Sequence, residues 1–81
     1  MIAFFDIVET RGVPLDVAIQ YLDSKGMVPD WTGFYEEALK HGWKPNRVCL
    51  RLENVIADVY GPDYLKEWQT RMDRYLAGRS G

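Results

Sequence analysis

His41 and Cys49 are the only histidine and the only cysteine among the 81 residues, so nucleophilic chemistry would have to be built from this pair. A thiol attacks as its thiolate and needs a base within reach, with a third group to orient that base. Seven residues separate the two, with His41 expected at the end of one helix and Cys49 in the first turns of the next. No acid lies between them to hold the imidazole. Simpler roles account for both: a histidine near a helix C-terminus complements the dipole, and a cysteine beside an apolar stripe fills a small core site.

The other routes to chemistry close in the same way. One histidine and one cysteine cannot supply the four nitrogen and sulfur ligands of structural zinc. Neither Asp23 nor Asp30 opens a loop with oxygen ligands at its first, third and fifth positions and glycine at the sixth. Glu36 and Glu37 are adjacent, so on a helix they point about 100° apart, which suits a solvated face better than paired acid and base. No glycine-rich phosphate loop occurs. The expectation is a protein that is not an enzyme, with no catalytic residues, no cofactor and no metal.

Binding chemistry is better represented. Lys40, His41, Lys44, Arg47 and Arg51 place four cations and a titratable ring in one stretch with no acid among them, beside Trp43. Trp43 lies off any helical stripe, between Gly42 and Lys44-Pro45, where it either plugs the end of a bundle or stands exposed as an anchor. The expected partner-binding residues are Trp43, Lys44, Arg47 and Arg51. Arginine pairs with carboxylates and phosphates through two parallel hydrogen bonds, so the patch suits an acidic protein groove or a nucleic-acid strand. The alternative surface is acidic: Asp30, Glu36 and Glu37, with a basic partner. Tyr60 and Tyr64 flank Gly61-Pro62 as a second aromatic pair, more simply read as rings buried at a bundle end with wet hydroxyls.

Glycine and proline divide the chain into the elements that must carry these groups. Residues 2–11 fit a helical period through Phe4, Ile7, Val8 and Arg11, though Ile2 to Phe5 also fit a buried strand; a lone strand would lack a partner, so helix is expected. A second helix starts at Pro14 with Asp16 in its first turn, buries Leu15, Ala18, Ile19 and Leu22, and stops at Gly26. Asp30 caps a third, with Trp31, Phe34, Tyr35, Ala38 and Leu39 inward, ended by Gly42. The fourth turns Val48, Leu52, Val55, Ile56 and Val59 inward and Arg47, Arg51, Asn54 and Asp58 outward. The fifth, after Gly61-Pro62-Asp63, buries Leu65, Trp68, Met72, Tyr75 and Leu76, pairs Glu67 with Arg71 outside, and closes at Gly78, leaving Arg79 to Gly81 frayed. The fold expected is all-α, a compact bundle of four to five short helices, with residues 1–81 as a single helical domain.

Almost half the residues are hydrophobic and 27% are charged, a globular balance. No apolar run approaches the roughly 20 residues of a membrane helix, and acids inside the opening segment argue against a signal peptide. A single cysteine precludes an intrachain disulfide, so the cytoplasm is the expected location. Residues 1–39 hold two basic and seven acidic side chains, a net −5, while residues 40–81 hold eight and five, a net +3. Three tryptophans and five tyrosines add to this two-signed surface the residue types that dominate binding hot spots. The function expected is a small non-catalytic protein-binding module, adaptor or inhibitor, that occupies a surface on a larger protein partner. Its size also fits inhibitors encoded by phage or other mobile elements. The alternatives are a nucleic-acid-binding regulator using Lys40 to Arg51 and an accessory subunit of a larger enzyme complex. No membrane partner is expected, and homo-oligomerisation is compatible with the sequence.

Overall fold

The computed structural model describes residues 1–80 and contains five helices: α1 (Phe5–Glu9), α2 (Leu15–Ser24), α3 (Trp31–Lys40), α4 (Pro45–Val59) and α5 (Pro62–Ser80). No helix is long and apolar enough to cross a membrane among the described residues. The Cα radius of gyration, 12.2 Å, matches the roughly 12 Å of a packed chain of this length. The all-α bundle predicted from periodicity is what forms.

α4 is the hub, touching α2, α3 and α5, while α1 packs on α2 and α3. Its inward stripe explains the role: Val48, Leu52 and Ile56, spaced by four, are wholly buried. Around them gather Leu15, Ile19 and Leu22 from α2, Phe34 and Ala38 from α3, and Trp68 and Met72 from α5. Pro45 occupies the first turn of α4, where its missing N–H is not needed. α3 starts as its cap predicts, the Asp30 carboxylate accepting the Gly33 amide at 3.1 Å. Gly26 ends α2 at φ +69°, a left-handed turn only glycine adopts freely.

Two terminal expectations need correction. Residues 2–11 do not form one helix. Ile2 is extended and makes an isolated parallel bridge to Pro29: its amide donates to the Val28 carbonyl at 2.8 Å, and its carbonyl accepts from the Asp30 amide at 2.9 Å. The partner thought missing is the α2–α3 connection. Phe4 and Phe5 are both buried, and with the helix beginning only at Phe5, Phe4 stacks on Phe34 with centroids 4.6 Å apart. At the other end, α5 runs past Gly78 to Ser80, and the fraying expected at Gly81 lies outside the described residues. The reason is an anchor beyond the glycine: Arg79 Nε lies 2.6 Å from Glu36 Oε1 on α3.

Candidate functional site

The outer stripe of α4 carries a block of cations with no acid among them. Arg47 and Arg51 are one helical turn apart, and Lys44 occupies the N-cap position, its backbone extended. Together with Asn46, Leu50 and Asn54 they line an open groove of about 580 Å³. Lys44, Arg47 and Arg51 are all exposed. Among the described residues none of the three has a carboxylate within 4 Å.

This placement works against the helix that bears it. The N-terminal end of a helix is its positive end, and a cation in the first turn costs about 0.3–1 kcal/mol where an acid would stabilise. α4 has no acid in its first turn, and Lys44 and Arg47 sit there instead. Further along, the groove meets a second depression that adds Asp16 and Asp58 to Arg51 and Asn54, so the positive field ends sharply at an acidic border.

Trp43 is half-buried and stands between its two expected roles. Its ring meets Phe5 and Phe34 edge to face at 5.8 and 5.9 Å, and the Arg51 guanidinium lies over it, 4.8 Å from the centroid. The indole thus closes the end of the core and orients Arg51, and its outer face is taken. The apolar group the groove does offer is Leu50, 58% exposed. Sequence reasoning passed over Leu50, although it lies three residues after Arg47 and four before Asn54, on the outward stripe. An exposed leucine between two unpaired arginines is the signal that marks it.

The acidic alternative is differently disposed, because all three carboxylates have partners. Asp30 accepts the Gly33 amide and the Thr32 hydroxyl. Glu36 accepts from the Tyr75 hydroxyl at 2.5 Å and pairs with Arg79. The Tyr75 hydrogen bond is the main reason its carboxyl sits below the ordinary value, with Arg79 adding to the effect against partial desolvation. Glu37 stands 3.5 Å from Lys40. α3 therefore turns Glu36 toward α5. Arg79–Glu36 also ties the acidic half of the chain to the basic half.

His41 and Cys49 are occupied separately. His41 Nδ1 donates to the Glu37 carbonyl at 2.8 Å and its ring rests on Phe5, centroids 4.7 Å apart. Cys49 is half-buried, and burial, reinforced by Glu53 and Asp73, pushes its thiol above the ordinary value. A thiol held protonated is a poor nucleophile. No group of three or more metal-ligating side chains converges among the described residues. Tyr60 and Tyr64 stack at 4.4 Å, both half-buried, with the Tyr64 hydroxyl accepting from Trp31 Nε1 at 3.3 Å.

No known protein family, curated protein or solved structure matches the chain.

Proposed function

We propose that this chain is a non-catalytic protein-binding module of the adaptor or inhibitor kind, which occupies an acidic surface of a larger cytoplasmic partner with the outer face of α4. The observation that carries the reading is the uncompensated charge of Lys44, Arg47 and Arg51 around the exposed Leu50. Stability alone selects against cations at a helix N-terminus, and a docked carboxylate relieves that repulsion while accepting paired hydrogen bonds from arginine. Leu50 supplies the apolar centre that such a contact needs. The engaged ring nitrogen of His41 and the protonated thiol of Cys49 support the non-catalytic part of the reading.

Nucleic acid is the rival occupant of the same face, and the covered ring of Trp43 counts against it, since stacking on a base requires a free aromatic face. The test measures binding of a polyglutamate peptide and of a single-stranded DNA oligonucleotide, alongside capture of partners from native extract. The wild-type chain is compared with Arg47→Glu/Arg51→Glu and with Leu50→Ala. The expected result is a captured protein and polyglutamate binding, both lost in the arginine variant while its helical circular dichroism and cooperative melting persist. Leu50→Ala should release the captured protein while keeping polyglutamate. Tight DNA binding that falls steeply with salt would transfer the face to nucleic acid. Full capture by all variants would overturn the assignment.

A further inference from the structure

A second feature lies away from α4. The backbone pairing of Ile2 with Val28 and Asp30 holds the α2–α3 connection against α5, and between them is a partly enclosed cleft of about 160 Å³. Val28, Pro29, Trp31, Trp68 and Met72 make its walls predominantly apolar, and Arg71 is the one charged side chain that lines it. An apolar cavity of about 150 Å³ is large enough for a benzene ring. Trp31 and Trp68 stand edge to face, 6.3 Å apart at 82°, and present both kinds of aromatic surface. Met72 adds a polarisable thioether that favours ring edges.

Of two donors here, one is enclosed in the wall and one is exposed at the rim. Trp68 is 4% exposed, and its Nε1–H is buried with no hydrogen-bond partner, a rarity in folded proteins. Arg71 was expected to pair with Glu67 one turn earlier, but among the described residues it has no carboxylate within 4 Å. An exposed guanidinium beside apolar walls suits an acceptor carried on an apolar body. A carboxylate accepts only, and it is the group that a guanidinium binds through two parallel bonds.

We propose that this cleft binds a small aryl carboxylate, a benzene-sized ring joined through a short spacer to a carboxyl group, with the ring among Trp31, Trp68 and Met72 and the carboxylate at Arg71. The same chemistry is offered by a free arylalkanoic acid and by the C-terminal phenylalanine of a peptide. The site is independent of the α4 face, so either assignment can fail without the other.

The experiment titrates the full chain with 3-phenylpropionate, with the neutral 3-phenylpropanol and with acetyl-Gly-Gly-Phe, following the three indole N–H resonances by NMR. Saturable shifts at Trp31 and Trp68 but not at Trp43 are expected, with the acid binding at least about five-fold more tightly than the alcohol. Arg71→Gln should erase that preference and leave the alcohol's affinity unchanged, and Val28→Trp, at the exposed rim, should block both. A peptide tighter than the free acid by about five-fold or more assigns the chain terminus as the source, and any smaller ratio assigns the free acid. No saturation below about 10 mM, equal shifts at Trp43, or an acid preference that survives Arg71→Gln would overturn the proposal.

Discussion

Replacing Trp43 with alanine separates an indole that closes the core from one that waits for a partner. A buried indole covers about 150–250 Å². Trp43 is half-buried, so about 100 Å² of apolar surface returns to water at about 25 cal/mol/Å², close to 2.5 kcal/mol. The edge-to-face contacts with Phe5 and Phe34 add about 0.5–1.5 kcal/mol each, part of which the area already counts. The Arg51 guanidinium contributes about 0.5–1 kcal/mol at a site this open. The expected loss is about 3–4 kcal/mol, a large share of the roughly 4–12 kcal/mol available to a chain of this size. Urea unfolding followed by circular dichroism should show the midpoint fall by about 2 M or more at unchanged slope. A double-mutant cycle with Arg51→Ala isolates the cation–ring term and should return a coupling of about 0.5–1 kcal/mol. A change within about 0.5 kcal/mol for Trp43→Ala would refute the reasoning and return this ring to the binding face.

Leu52→Ala or Ile56→Ala, each emptying a wholly buried position on the hub helix, should cost about 2–5 kcal/mol in the same assay. Gly78→Ala, with open space around it, should stabilise by about 0.5 kcal/mol, whereas Gly33→Ala should fail to stabilise. A Cβ at Gly33 would lie 2.7 Å from Asp30 Cγ and closer still to Oδ2, displacing the α3 cap; paired melting temperatures decide this. Burial pushes the Tyr60 phenol from an ordinary value of 10.0 up to about 12, so its contribution is full below pH 10 and lost as pH rises toward 12. Phenolate absorbance should show Tyr60 ionising late, with Tyr75, raised by burial and its hydrogen bond to Glu36, also delayed. The lowered carboxyl of Glu36 acts at the opposite end, its contribution present at neutral pH and lost as pH falls through that lowered value; Glu36→Gln should flatten the acid limb of the stability curve.

The sequence was most legible where the period of a helix coincided with burial. Val48, Leu52 and Ile56 announce their face because each lies one turn from the next, and Asp30 announces a helix start because its side chain acts three residues away. Local rules failed where the deciding partner was distant. Ile2 pairs with a connection 26 residues later, and Arg79 holds α5 in helix through a carboxylate on α3, and neither relation leaves a local pattern. Arg71 looked like half of a helical ion pair and instead lines a cleft between its own helix and the α2–α3 connection. Trp43 divided the readings because its environment is itself divided, with one edge on Phe5 and Phe34 and one face under Arg51.

That α4 touches α2, α3 and α5 while presenting its own outer groove has a consequence for the lifetime of the molecule in a cell. The groove residues lie within eleven positions of sequence, yet the helix holding them packs its other side on α2, α3 and α5. A partner docked there therefore selects the fully folded chain, and at about a hundred times its dissociation constant it adds about 2.7 kcal/mol to the free energy of unfolding. Degradation that proceeds through the unfolded chain slows in proportion, by about a hundred-fold. On the proposed function, copies in excess of the partner would be left at their intrinsic stability and cleared first, so the amount of the protein in a cell would follow the amount of what it binds.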